Sequence, residues 1–185
     1  MQQNPFLMKN QIVVLMLLVG LAVGCKSNKI GEKVKEPFSS SKYMSSNRYW
    51  RSTGSGTSAD LSIAKQKAQL EARKNLASEV QTNIKSVGDQ YIKNQEIGER
   101  EIMERSFEQL YREVLNTQLN NAVVHDQVTY KKENGQFIHY VAMEAHKKDL
   151  YRHMKRMNEA STSMNKKQKD LIAKIVDEQI AALED

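Results

Sequence analysis

The chain has 185 residues, a mass of 21.2 kDa and a formal net charge of +6, and 39% of its residues are hydrophobic and 27% charged. It is too apolar for a wholly disordered chain and too polar for a protein with several membrane spans, and its positive charge favours anionic partners. The single cysteine, Cys25, excludes a disulfide framework and a multi-cysteine zinc or iron–sulfur site.

The first feature along the chain is an uncharged apolar segment at residues 12–23, preceded by Lys9. As a helix this segment would rise about 18 Å, which is well short of the ~30 Å hydrocarbon core of a bilayer. A basic residue, a short apolar stretch and small residues after it are typical of a secretory signal peptide. We therefore predict a signal peptide at residues 1–24 rather than a transmembrane anchor.

The only cysteine lies where that signal peptide is expected to be cleaved. Leu21-Ala22-Val23-Gly24-Cys25 resembles the lipobox of bacterial lipoproteins, in which the cysteine is lipidated and becomes the new N-terminus. Ala22 stands where leucine is usual, and the open alternative is a signal cut elsewhere with Cys25 incidental. Because several acyl chains on one residue anchor durably, the resemblance implies a lipid anchor. Lys26, in place of an aspartate, favours the outer membrane.

Residues 25–46 are predicted to be the lipidated cysteine and a flexible tether, because they are rich in Lys, Ser, Glu and Gly without apolar periodicity. A coil of this length reaches about 25 Å. The open alternative is that Tyr43 and Met44 pack on the folded domain. We expect that domain at residues 47–145, followed by a basic helical extension at 146–185.

The domain is expected to begin with a strand and a long helix. Residues 49–53 are β-capable, and Gly54-Ser55-Gly56 is expected to end the strand in a turn. Residues 57–60 provide N-cap chemistry for a helix from Leu61. An apolar residue then recurs at every fourth position, which predicts a helix with a narrow face lying close to a sheet: Ala64, Ala68, Ala72, Leu76, Val80 and Ile84. A helix-dimer seam is the less favoured interpretation.

A second helix is predicted over residues 99–119, because Gly88 and Gly98 favour a bend or a pair of helices over one long rod. A β-hairpin follows, with strands at 122–130 and 136–145 around Asn134-Gly135, the strongest short hairpin signal.

If Asn134 and Gly135 are the two central residues of the turn, Val128 pairs with Val141 and Tyr130 with His139. One face of the hairpin is then the predicted core face, and it carries Val124, Val128, Tyr130, Phe137, His139, Val141 and Met143. His125 and Glu144 form an exposed pair on the other face.

The C-terminal region is predicted to form two helices, at 147–158 and 166–183, with a break at 160–165. Basic residues dominate the first of them, and five are candidates for contact with an anionic lipid or wall polymer: Lys147, Lys148, Arg152, Lys155 and Arg156. The open alternative is a solvated helix balanced by acids farther along, such as Asp177, Glu178, Glu184 and Asp185.

Motifs of enzyme chemistry are not found in the sequence, which has no P-loop and no Gly-x-Ser-x-Gly elbow. Gly54-Ser55-Gly56 before a helix start is a weak anion-cradle signal, for which a turn and cap is the better interpretation. His146 and His153 are able to share a helix face, with Asp149 or Glu144 as a third ligand, but we assign no metal site. His139 is expected at the edge of the core, bonded to Tyr130 or to the backbone.

The order of elements, the Tyr49-Trp50 entry, the Gly54-Ser55-Gly56-Thr57-Ser58 segment and the Ala-rich helix that follows resemble the Helicobacter-type twenty-kilodalton lipoprotein family. They are more loosely similar to domains of flagellar outer-membrane lipoproteins. Tyr140-Val141-Ala142 corresponds to the late strand of that family, and the resemblance covers roughly residues 47–145. It implies a small α+β domain at the cell envelope and carries over no catalytic residues.

These observations predict an α+β protein, in which a small antiparallel sheet in β-α-β-β order carries a long helix on one face. The expected function is that of a non-enzymatic outer-membrane lipoprotein with a structural or protein-interaction role, without cofactors. Its expected partners are the membrane, a second copy of itself or another envelope protein, and an anionic lipid or wall polymer, with nucleic acid excluded. The alternative is an envelope module that binds a small apolar or anionic molecule between its helices and sheet.

Overall fold

A computed structural model describes residues 31, 34–93 and 95–184 of the chain. Strands β1 (Tyr49–Ser58), β2 (Val123–Lys131) and β3 (Phe137–His146) form an antiparallel sheet in the order β1-β3-β2. Four α-helices lie in the described residues: α1 (Leu61–Ile92), α2 (Ile97–Gln118), α3 (Lys147–Ala160) and α4 (Lys166–Ala181), with short 3-10 helices at Ser41–Tyr43 and Leu119–Asn121. The predicted α+β class, with a long helix on one sheet face and a helical C-terminal extension, is confirmed.

Strand β1 continues through Gly54-Ser55-Gly56, where the sequence predicted a turn. A Cβ atom on Gly54 would lie 2.4 Å from the carbonyl oxygen of Ala68, and one on Gly56 would lie 2.2 Å from that of Ala64. Glycine within a strand permits such close approach of a second backbone. The prediction of a turn was wrong because these glycines set the distance between β1 and α1.

The apolar row of α1 is buried as predicted, and it continues to Gly88 and Ile92. In a helix of 3.6 residues per turn, each step of four residues advances about 40° beyond a full turn. The row therefore winds around α1, so that its first part faces the sheet and its later part faces α2. There, a Cβ on Gly88 would lie 2.3 Å from Phe107 Cε1. Gly88 is inside the helix, and the break between α1 and α2 falls at residues 93–96.

The hairpin register differs from the prediction by one residue. Gly135 has a φ of 82°, and its N–H donates to the carbonyl of Lys132 at 2.9 Å, so the loop has one residue more than the predicted turn. Val128 then pairs with Tyr140, and Tyr130 with Ile138. A slip of one residue exchanges the two faces of a strand. The predicted core face is thus correct for β3 and wrong for Val128 and Tyr130 of β2, whereas Val124, beyond the bulge, still pairs with Met143.

The exchange places Thr129 rather than Tyr130 beside His139. His139, Val141 and Met143 are all buried, with at most 1% of each residue exposed. Val128 and Tyr130 move to the outer face, and Val124 is 40% exposed. A bulge between Val124 and Asp126 leaves His125 outside the regular pairing.

The two predicted C-terminal helices are present as α3 and α4. Asn165 caps α4 with a capping box that includes Gln168. Their buried side chains join the core of the sheet and of α1 and α2 through Trp50, whose ring lies 5.8 Å from that of Tyr151. None of the described helices is long and apolar enough to cross a membrane.

Candidate functional site

Cys25 and the predicted signal peptide lie outside the described residues. The described chain reaches the domain through residues 37–45, which we call the strap. The contacts of the strap decide whether the segment before the domain is a free tether or part of the fold.

The strap packs on the outer face of the sheet, the face opposite α1. The Tyr43 hydroxyl donates to Asp126 Oδ2 at 2.7 Å, and its ring lies 5.9 Å from the ring of His125. On the other side of Tyr43, the ring of Phe38 lies 4.7 Å away, and Phe38 has a φ of 62°, which is rare for a residue other than glycine. The alternative that the sequence left open is therefore observed for Tyr43, whereas Met44 is 61% exposed.

Strap and sheet also share main-chain hydrogen bonds. The N–H of Arg51 donates to Ser45 Oγ at 2.8 Å, and Arg51 Nη1 donates to the Lys42 carbonyl at 3.1 Å. These bonds hold the end of the strap beside β1, while Tyr43 holds its middle beside β2. The strap thus crosses the outer face from one strand to the other.

Beneath the strap, charged side chains form a half-buried cluster. Arg51 Nε donates to Glu144 Oε2 at 2.9 Å, and His125 Nδ1 lies 3.3 Å from the same oxygen. The Arg51 and Glu144 side chains are only 16% and 17% exposed. The predicted contact between His125 and Glu144 is therefore present, but the bulge and the strap make it half-buried rather than exposed. An ion pair in such a place is costly to break by removing one partner.

The electrostatics of the cluster stabilise one protonation state. The hydrogen bond to Asp126 raises the pKa of the Tyr43 phenol, with burial adding to the shift. The same bond lowers the pKa of Asp126, and burial opposes part of that shift. A protonated phenol and an ionised carboxylate suit each other as donor and acceptor. The arrangement therefore fits a structural contact between strap and sheet.

The five basic residues predicted to contact an anionic surface all lie on α3, but they differ in their surroundings. Lys148 forms an ion pair with Glu184, and Lys155 Nζ lies 2.7 Å from Asp177 Oδ1. These two acids were named by the alternative interpretation of a balanced helix. The hydrogen bond from Lys148 lowers the pKa of Glu184, and the one to Asp177 raises the pKa of Lys155.

The remaining three basic residues of α3 differ from one another in burial. Lys147 Nζ lies 5.4 Å from the centre of the Trp50 ring, and burial lowers its pKa against the opposing effect of Glu79. Arg152 and Arg156 are exposed, and an Arg156 nitrogen lies 3.3 Å from His153 Nδ1. Two of the five cations are therefore paired with acids, whereas Arg152 and Arg156 remain exposed.

The histidines and the glycine motif that the sequence analysis considered for chemistry make contacts within the fold. His139 Nδ1 lies 2.7 Å from Thr129 Oγ1, and burial lowers its pKa, with the Lys65 charge adding to the shift. His146 Nδ1 lies 3.3 Å from Asp149 Oδ2, whereas His153 faces Arg156. Among the described residues, no group of three or more His, Cys, Asp or Glu is placed to hold a metal ion. The Ser55 N–H, in the weak anion-cradle motif, donates to Glu71 at 2.6 Å.

That last bond belongs to a set by which α1 covers the free edge of β1. Asn75 Nδ2 donates to the Thr53 carbonyl at 3.0 Å, and Lys67 Nζ donates to the Thr57 carbonyl at 3.3 Å. Together with Glu71, these side chains satisfy main-chain groups that point away from β3. An edge strand covered in this way is closed to pairing with another chain.

A surface groove of about 430 Å³ lies between the first turns of α2 and α4. Apolar side chains of Ile102, Met103 and Leu171 line its floor. Its rim carries Lys167, which forms an ion pair with Glu99, together with Lys174 and Asp170. The groove lies between helices, whereas the predicted ligand site lay between helices and sheet, where α1 approaches Gly54 and Gly56 too closely to leave room.

Sequence reasoning missed two features: the contacts of the strap with the outer sheet face, and the side chains of α1 that cover the β1 edge. The strap was assigned to a tether because its Ser- and Lys-rich composition matches a coil, and its contacts reach residues more than 80 positions away (Tyr43 to Asp126). Glu71 and Asn75 look like members of a solvated helix face. Their spacing of four residues was the only signal that both point toward one side of α1.

Comparisons of the chain with models of known protein families, with curated proteins and with solved structures give no match.

Proposed function

We propose that this chain is a non-enzymatic lipoprotein of the bacterial cell envelope, anchored to the outer membrane through Cys25 and acting in a structural or protein-interaction role. The observation that carries the proposal is the position of the only cysteine, directly after a short apolar segment of signal-peptide type and Gly24. Resemblance to the Helicobacter-type twenty-kilodalton lipoprotein family supports it.

The strap adds physical support to this function. A domain that hangs from a lipid needs a defined point at which the chain enters the fold, because pull on the tether otherwise frays the first strand. The bonds of Tyr43 and Ser45 provide such a point before β1 begins. A load on residues 26–36 would then be taken up by the sheet rather than by Tyr49 alone.

The test is the intact mass of protein extracted from bacterial membranes. We expect the mass of residues 25–185 plus acyl groups. As a matched pair, Cys25→Ser should abolish membrane attachment, whereas Ala22→Leu, which restores the usual lipobox residue, should retain it. A full-length mass with a free thiol would contradict the proposal.

A second candidate function is that of an envelope module for a small amphiphile, which the apolar groove between α2 and α4 favours. A pocket of several hundred Å³ with an apolar floor and a few polar groups is typical of small-molecule sites. Dodecyl phosphate, added below its micelle concentration, should raise the melting temperature of the native chain. Ile102→Asp should abolish that shift and Leu70→Asp, an equally polar change on α1, should not. An identical shift in both variants would exclude the groove.

A further inference from the structure

The free edge of β2 exposes main-chain groups that the fold leaves uncovered. In antiparallel pairs, alternate residues direct their N–H and C=O groups to opposite sides of the strand. The Lys132 N–H donates to the Gln136 carbonyl at 2.8 Å, so the alternation directs Gln127, Thr129 and Lys131 away from β3. The Gln127 N–H is covered by the Asp126 carboxylate at 2.9 Å. Within the described chain, no side chain bonds to the main chain of Thr129 or Lys131 in this way.

The regular part of this edge has two definite ends. The bulge at His125 interrupts the pairing on one side, and the hairpin turn begins after Lys132 on the other. A bulge bends and twists a strand, so an added strand is expected to stop there. The segment that remains is 126–132, and its central residue is Thr129.

We infer that β2 pairs antiparallel with β2 of a second copy of this chain, about a two-fold axis at Thr129. The register follows from using the whole regular segment, which sets residue 126 opposite residue 132. Gln127 then faces Lys131 of the second copy, once the Asp126 carboxylate releases the Gln127 N–H to the incoming strand, and Thr129 faces its own counterpart. An isologous contact of this kind is the usual way in which identical chains form dimers.

The side chains of the segment complement one another in this register. Asp126 faces Lys132 of the second copy, and Val128 faces Tyr130, which is 51% exposed in one chain. Opposite charges, aromatic with β-branched side chains, and threonine with threonine are favourable cross-strand pairs. Lysine on an edge strand normally discourages pairing, but here Lys131 and Lys132 each face a residue without positive charge.

The described residues leave room for a second copy beside β2. Helix α1 packs on β1 and β3, so a two-fold axis perpendicular to the sheet places the two α1 helices on the same face and far from the axis. The added strand buries less surface than the ~1,600 Å² of a standard interface, so the dimer should be weak in solution. The inference rests on the edge alone and does not require lipidation of Cys25.

The test uses residues 26–185, which contain the whole compact unit Lys35–Asp185 and lack Cys25. Gln127→Cys and Lys131→Cys are made separately, both at exposed positions. Facing residues of this type lie about 5.5 Å apart at Cα, which a disulfide is able to bridge. In a glutathione buffer, we expect the mixture of the two variants to form a disulfide-linked dimer at least about tenfold faster than either variant alone.

Several results would overturn the inference. If Gln127→Cys alone formed disulfide-linked dimers as fast as the mixture, the register would be wrong. A mixture of Ile63→Cys and Leu70→Cys, both exposed on α1, is the control for random collision. If that mixture formed dimers equally fast, the linking would not report pairing of β2. Melting curves of each variant establish that it is folded.

Sedimentation of the native fragment gives an independent measurement of the dimer. Lys132→Glu places its carboxylate opposite Asp126 of the second copy and should weaken the dimer at least about threefold, whereas Lys85→Glu should not. A monomer at every concentration up to about 1 mM would refute pairing.

Discussion

The two outer strands of the sheet differ in how their free edges are treated. The edge of β1 is closed, since Lys67, Glu71 and Asn75 reach from α1 and bond to its main chain. The edge of β2 carries a bulge at one end and the Asp126 carboxylate on the Gln127 N–H, and no side chain of the described residues covers the main chain of Thr129 or Lys131. The difference arises from the position of α1, which lies against β1 so closely that its short polar side chains reach the edge. Among the described residues, the difference leaves β2 as the edge for the pairing that we infer.

The largest expected effect comes from moving α1 away from the closed edge. Gly54→Ala puts a methyl group 2.4 Å from the backbone of Ala68 and Ala72, so α1 must shift. We expect a loss of about 3 kcal/mol or more in the free energy of unfolding, measured by urea denaturation. Gly98→Ala is the matched control, because a Cβ there meets nothing within 4 Å. The control should gain up to about 1 kcal/mol from helix propensity, and equal losses in the two variants would contradict our account of Gly54.

A smaller effect is expected from opening the β1 edge without moving the helix. The double variant Glu71→Ala with Asn75→Ala removes the bonds to Ser55 and Thr53. We expect a loss of about 1–2 kcal/mol in the free energy of unfolding, because each bond is worth about 1 kcal/mol. Sedimentation should also show new self-association through β1. The double variant Glu101→Ala with Glu104→Ala, at exposed positions of α2, should change neither quantity.

The inner side of β3 predicts a pH dependence of stability. Burial lowers the pKa of His139 in the folded chain, so the unfolded chain takes up the proton more readily. The stability that neutral His139 contributes is fully present above the pKa of about 6.5 that histidine has in the unfolded chain. It is lost as the pH falls from there toward the lower pKa of His139 in the folded chain. Urea denaturation between pH 7 and pH 5 should therefore show falling stability. His139→Leu should flatten that slope and His153→Gln should not; an unchanged slope in His139→Leu would refute the assignment.

The smallest effect concerns the strap. Tyr43→Phe keeps the ring but removes the hydrogen bond to Asp126. We expect cleavage within residues 36–46 by a protease to become several-fold faster while the melting temperature hardly changes, because local opening costs less than global unfolding. Tyr130→Phe is the control, and equal protection in native and Tyr43→Phe chains would show that the hydroxyl does not hold the strap.

The sequence was most informative where one physical constraint acts alone. The row from Ala64 to Ile84 predicted α1 and its buried side, because apolar residues at every fourth position, without the apolar residues at every second position that a buried strand face has, match the repeat of a helix. The hairpin turn was located correctly, but its register depends on whether Asn134 and Gly135 both take a positive φ or Gly135 alone does, as observed. Gly54 and Gly56 were misread since a turn and a close helix contact both require glycine.

The outer sheet face was beyond sequence reasoning for another reason. The bonds of Tyr43 and Ser45 join segments that are distant along the chain, and polar residues leave no periodic pattern that indicates such partners. The proximity of His125 and Glu144 was predicted and the packing of Tyr43 stood as an open alternative, whereas the bulge at His125 was not anticipated. The lipidation of Cys25 and the anionic contact of α3 stay predictions from the sequence.

The winding apolar row of α1 has a consequence for how this chain tolerates changes in length. One residue inserted between Leu76 and Val80 would rotate the rest of the helix by about 100°, so that the alanines would still lie on the sheet while Ile84 and Gly88 would turn away from Phe107. The loops at 93–96 and 161–165 carry no such phase relation. Among natural variants of this protein, we therefore expect insertions and deletions to accumulate in those loops and to be excluded from the middle of α1.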